Sequence, residues 1–146
     1  MRGAFAAGVA LLFGATLAYA AEQVPAGAPK VSVEPVAKTS TTITGQPIVV
    51  PANPNVVVSI ATFPPGAALP IHKHPYPHYV YVLDGVLTVT NAETNKTFTV
   101  KKGDFVVETN SAWHFGKNEG RVPVKLLVID QLAPGAASNM ELPPAK

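Results

Sequence analysis

The stretch at residues 66–85, GAALPIHKHPYPHYVYVLDG, decides how this chain is read. It crowds His72, His74 and His78 into seven residues and runs straight into HYVYVL, a β-branched and aromatic run with the composition of a strand. His72 and His74 are two apart, so on an extended backbone both rings project from one face. His78 is again an even number of residues away, although Pro75 and Pro77 bend the chain between them. The fourth histidine, His114 in NSAWHFGKN, lies thirty-six residues beyond His78, so a shared site requires the chain to fold back on itself. Imidazole is the commonest side-chain metal ligand and is mostly neutral near pH 7. Rings on one face, joined by another from a neighbouring strand, can hold a divalent ion. The competing reading is four solvated histidines with no common role, since an H-x-H pair alone is a weak signal.

Outward from this stretch the chain is β-rich. VSVEPV, TSTTITG, NVVVSIATF, VLTVTN, TFTVKKG, DFVVET and VPVKLLVIDQL are short runs of Val, Thr, Ile and aromatics, punctuated by Gly, Pro, Asn and Asp. No segment after residue 20 sustains a helical period of apolar residues. The fifteen prolines argue the same way, because a locked φ and a missing N–H break helices. Many short strands at this spacing mean one all-β domain, a sandwich or a barrel.

The totals exclude several classes. The chain has 146 residues, 11 basic and 9 acidic, and no cysteine. No basic stripe marks a nucleic-acid binder, and no disulfide or thiol nucleophile is available. Neither a Ser-His-Asp pattern nor a glycine-rich phosphate loop is present. Residues 1–20, MRGAFAAGVALLFGATLAYA, read as a cleaved signal peptide: Arg2, an apolar run, then Ala18-Tyr19-Ala20 as the cleavage site. The rival, a membrane anchor, needs ~20 apolar residues, and this run is shorter. The expected protein is therefore periplasmic or secreted, with no membrane contact after cleavage behind Ala20. Residues 21–45 read as a flexible leader with an N-terminal strand to its end, 46–133 as the β domain, and 134–146 as a disordered tail.

The histidine stretch resembles the first motif of the cupin superfamily, G-x5-H-x-H-x3-E-x6-G. Gly66, His72, His74 and Gly85 fit it, with His78 where the family usually has glutamate. The second motif, G-x5-P-x-G-x2-H-x3-N, is matched by Gly103, His114 and Asn118, while Thr109 and Ser111 replace its proline and glycine. Seventeen residues separate the motifs, and the resemblance spans residues 56–131. It implies a double-stranded β-helix, the jelly-roll or cupin barrel, with His72, His74, His78 and His114 as ligands of one divalent transition metal ion.

The resemblance leaves the ion open among Fe, Mn, Cu, Ni and Zn. Four neutral imidazoles would leave it at +2, where three imidazoles and a carboxylate would leave +1. A four-histidine set also lacks the carboxylate of the facial triad that 2-oxoglutarate-dependent oxygenases use. The expected activity is a metal-dependent oxygenase acting on a small organic molecule with chelating oxygens. The alternatives are a non-catalytic periplasmic protein that binds metal or a small ligand, and a structural barrel that has lost its metal. Strand parity turns Tyr79 and Tyr81 away from the metal side. Glu108 has two readings: an acceptor for a ligand histidine's other ring N–H, or an exposed strand residue. Asp84-Gly85 reads as a hairpin turn. The residues 31–44 could pair copies into a homodimer by covering an edge strand.

Overall fold

The computed structural model describes residues 27–108 and 112–145. The expected signal peptide, most of the leader's start, and Thr109 and Ser111 of the second motif lie outside the described residues. The chain divides into two units, Met1–Val33 and Glu34–Lys146. Of the first, only 27–33 are described, and they carry no strand or helix.

The second unit is all-β, with no helix among the described residues. The described residues form seven strands: β1 (Asn55–Phe63), β2 (His78–Asp84), β3 (Val86–Asn91), β4 (Thr97–Lys101), β5 (Phe105–Glu108), β6 (His114–Lys117) and β7 (Val124–Leu132), with the long β1–β2 connection carrying His72 and His74. The strands form two antiparallel sheets, one of order β1-β7-β2-β5 and one of order β4-β3-β6. The chain crosses between the sheets after β2, β4, β5 and β6, as in a jelly roll, while β1–β2 and β3–β4 stay within one sheet. The core between them is Val80 and Val82 from β2, Leu87 and Val89 from β3, Val100, and Val124, Leu126 and Val128 from β7. These residues fall on alternate positions, so each strand buries one face.

Gly85 makes the corner between the sheets. β2 and β3 do not pair with each other, so Asp84-Gly85 is a crossing point and not the hairpin turn the sequence suggested. A one-residue irregularity between Val82 and Asp84 turns the strand there. Gly85 has φ +81°, and a Cβ on it would sit 2.8 Å from the Pro123 carbonyl oxygen. Only glycine fits such a corner.

The two sheets differ on their outer faces. On β3 and β4 the outward positions are Thr88, Thr90, Thr97 and Thr99, a solvated surface. On β1, Ser59, Ala61 and Phe63 point inward, so Val56, Val58 and Ile60 point out, each more than half exposed. Among the described residues ahead of β1, 27–54, there is no strand, only an isolated bridge, Thr41 to Pro47.

The tail differs from its expected disorder. Asn139 is buried, and its side chain takes a hydrogen bond from the Tyr76 N–H while donating to the Tyr76 and Pro77 carbonyls and to Asp130. Lys73 and Glu141 exchange backbone hydrogen bonds beside it. Proline and alanine content suggested looseness, whereas one asparagine with both ends of its amide satisfied holds the segment down.

Candidate metal centre

The motif histidines are set by backbone pairing. His72 and His114 exchange both backbone hydrogen bonds at 2.8 Å, which binds the first motif to the second. Their rings lie 4.5 Å apart by centroid, and that of His74 is 4.9 and 5.1 Å from them. All three are almost wholly buried. Asn118, the last residue of the second motif, serves the scaffold instead. Its amide donates to the Phe63 and Val122 carbonyls and accepts from the Gly120 N–H.

Each of these three rings donates its Nδ1–H to a backbone carbonyl: His72 to Pro70 at 2.8 Å, His114 to Ala112 at 2.9 Å, His74 to Asn139 at 2.7 Å. A carbonyl can only accept, so each Nδ1 carries a proton and Nε2 is left as the coordinating atom; on His114 the Nε2 also carries a proton, donated to Glu108, that must leave before it can coordinate. Such outer hydrogen bonds fix the orientation and tautomer of metal-binding histidines.

The fourth member of the cluster is Glu108, and not His78. The ligand-type atoms of His72, His74, His114 and Glu108 all lie within 4.8 Å of one another. Glu108 Oε2 is 3.2 Å from His114 Nε2, in hydrogen-bonding geometry, and 3.4 Å from His74 Nε2. The second contact lacks hydrogen-bond geometry, so His74 Nε2 is the one buried side-chain polar atom without a partner among the described residues. A buried polar atom left unpaired costs roughly 1–3 kcal/mol. An ion in the cluster would satisfy it, and three imidazoles with one carboxylate are a donor set suited to a divalent transition metal. The residues fit the group.

His78 stands beside this cluster. Its ring stacks on His74 at 4.1 Å and 3° between planes, and its Nδ1–H donates to Asp130 Oδ1 at 2.8 Å. With His74 and Asp130 it forms a second, less buried group. In register, His78 pairs with Asp130 on β7 and with Glu108 on β5, so the three form one inward row across neighbouring strands.

Glu108 is thus the residue that the sequence reading left between two roles, and it is neither exposed nor bound to an outer ring nitrogen. Its carboxylate lies on the Nε2 side, where a ligand would. The signal available in the sequence was the carboxylate missing at position 78 together with a carboxylate in the DFVVETN run of the second motif. With a carboxylate present, the net charge of an occupied site is +1, and the argument against a facial triad no longer applies. Tyr79 and Tyr81 face outward as parity required, Tyr79 stacking on Phe105.

The electrostatics follow from burial and pairing. Burial would raise the Glu108 carboxyl, but the hydrogen bond with His114 and the adjacent His74 ring outweigh it and hold it well below the usual range. Burial would lower His114, and the Glu108 hydrogen bond and charge raise it instead. Burial pushes His72 down to about 4, the His114 and His74 rings adding to it, against the opposing Pro70 carbonyl bond and Glu108 charge. His78 is raised because its bond to Asp130, with the Glu108 charge, exceeds the burial penalty. Asp130 is lowered because the His78 bond and charge, with Asn139, exceed its own burial penalty.

A cavity of about 230 Å³ opens on the cluster, with His72, His78, Glu108 and Asp130 at one end and β1 and Met140 along its walls. Residues 59–130 match the family model described as a cupin domain. This is a cupin domain. Cupin relatives include germin-like protein subfamily 2 member 2 of Arabidopsis thaliana, 36% identical over 96 residues, covering 61% of this chain and 44% of that one. Auxin-binding protein 1 of the same plant is 35% identical over 81 residues, covering 51% and 41%. Among solved structures, the oxalate decarboxylase–formate complex of Lactobacillus farciminis is 26% identical with a TM-score of 0.45, covering 54% of this chain and 24% of that one. The chain spans less than half the length of each of these proteins.

Proposed function

We propose that this cupin holds one divalent transition metal ion on His72, His74, His114 and Glu108 and acts as an oxygenase on a small organic substrate with chelating oxygens. The carrying observation is the unpartnered Nε2 of His74, held by its Nδ1 bond among two other Nε2 atoms and a carboxylate. The bound ion would polarise a coordinated oxygen or activate dioxygen. The chain's own contribution is to orient three rings through carbonyls, to supply one negative charge, and to keep an apolar cavity beside them. That cavity favours a reacting partner over a closed storage site. Elemental analysis with oxygen-electrode screening of the loaded protein tests the reading. Stoichiometric zinc with no oxygen consumption in the presence of chelating organics would replace it with a metal or ligand carrier.

We propose export on the strength of Arg2, the apolar run and the A-x-A site. Amino-terminal sequencing of periplasmic material should begin at Ala21. We also propose a homodimer through the outer face of the four-stranded sheet. Val56, Val58 and Ile60 lie on an edge strand whose outer backbone groups have no strand partner among the described residues. At ~3.3 Å per residue and ~4.8 Å per strand, that face measures about 30 by 19 Å at its widest. This is on the scale of the ~800 Å² per partner of a stable interface. Sedimentation of a concentration-independent monomer would overturn it, and Ile60→Lys should dissociate the dimer.

A further inference from the structure

The cavity beside the cluster also carries information about what enters it. Its volume, about 230 Å³, falls below the ~300–1,000 Å³ common for ligand pockets, so its ligand is small. Phe63, Leu69, Leu126, Val128 and Met140 make most of the wall. The polar lining is Ser59, His72, His78, Glu108 and Asp130.

No lysine or arginine lines it. Lys73, next to both motif histidines, is turned outward to Glu141 at 3.2 Å and over the Trp113 ring at 4.8 Å. Lys125 adjoins Leu126 but points to the opposite side of β7 and is exposed. The stretch 109–111, Thr-Asn-Ser, contains no base. The lining does contain two carboxylates, one of which, Asp130, is bonded to His78.

Charge bookkeeping then limits the ligand. A divalent ion on three neutral imidazoles and Glu108 keeps one positive charge, which one further negative charge cancels. A dianion would leave a surplus charge against an apolar wall, where His78, the one basic side chain of the lining outside the metal ligands, is already paired with Asp130 and not free to receive it. Burying an unpaired charge costs several kcal/mol. Resting on the metal reading above, we infer that the cavity takes a small molecule with two adjacent oxygens on an apolar body, neutral or singly negative when bound, and that it rejects dianions such as oxalate and phosphate monoesters.

The test compares tropolone, a monoanionic bidentate chelator with an apolar ring, against oxalate, by calorimetric titration of cobalt(II)-loaded protein. Cobalt stoichiometry is measured first and reports on the metal reading alone. The wild type should bind tropolone about tenfold or more tighter than oxalate. Met140→Lys, at the half-buried edge of the cavity, supplies the missing cation and should shift the ratio towards oxalate. Oxalate binding as tightly as tropolone in the wild type, or a ratio unmoved by Met140→Lys, overturns the inference. If no cobalt is taken up, the metal reading fails by itself. The same pair is then compared on the metal-free cavity by ligand-detected NMR, where a preference for oxalate overturns the ligand class and a preference for tropolone supports it.

Discussion

His78 and Glu108 are direct partners across the β2–β5 ladder, with their side chains on the same inward face. The family motif places glutamate at position 78; here histidine stands there and glutamate stands opposite, one strand away. Opposed Cβ atoms lie about 5 Å apart, close enough for either strand to deliver a carboxylate to one point. The carboxylate of the cluster has in effect changed strands.

This exchange predicts unequal mutants. Glu108→Ala should abolish stoichiometric metal binding or weaken it by more than about 100-fold. His78→Ala should stay within the ~10–100-fold cost typical of groups that orient ligands. Chelator competition on the two variants measures the order, and a larger loss in His78→Ala would restore the four-histidine set.

Metal uptake should release protons. The raised His114 shares a proton with Glu108 in the metal-free cluster, and that proton must leave before Nε2 can coordinate. Apparent affinity should therefore fall as pH drops from 8 to 6. Calorimetry in buffers of different ionisation enthalpy reads the number released, and a value of zero at pH 6 would contradict the shared proton.

The His78–Asp130 pair predicts a window of stability in the metal-free protein. Asp130 is lowered from 3.8, so its contribution is present above that value and lost as pH falls through the folded one. His78 is raised from 6.5, so its contribution is complete below that value and lost as pH rises through the folded one. The melting-temperature difference between wild type and Asp130→Asn should be largest between about pH 4 and 6.5 and shrink on either side. A difference independent of pH would mean that the pair acts only as a neutral hydrogen bond.

Two glycines at φ +81° should respond differently to alanine. At Gly66 nothing lies within 4 Å of the added Cβ, so the cost is the backbone term alone, about 1–2 kcal/mol. At Gly85 the Cβ would meet backbone atoms at 2.8 and 2.9 Å, and the loss should be larger by at least about 1 kcal/mol. Urea unfolding of the two variants compares them directly.

Asn139→Ala should cost about 1–3 kcal/mol, because it strands the Tyr76 N–H and removes one of the two donors to Asp130, while leaving the backbone bond to His74 in place. Thermal unfolding measures the loss, and faster proteolysis of the tail should accompany it.

The fold was legible because it is written in local terms: alternation along VLTVTN, glycine at the corners, and motif spacing across both halves. The convergence of His72, His74 and His114 was legible for the same reason, since spacing within a motif survives folding. Glu108 was not, because its place depends on which strands become neighbours, and nothing in DFVVETN states that β5 will lie beside β2. The tail was misjudged on composition. Its order comes from the Asn139 amide and the Lys73–Glu141 backbone pair, contacts between residues more than sixty apart in sequence that have no periodic signature.

The bond between His74 Nδ1 and the Asn139 carbonyl spans sixty-five positions of sequence. During synthesis, the first motif emerges from the ribosome long before the residue that aims one of its rings. The three-ring geometry cannot exist on a nascent chain that stops short of residue 139. Under the metal reading, the ion is therefore captured after translation has passed this point. For an exported chain, the ion selected would then reflect the supply at the destination as much as the chemistry of the donors.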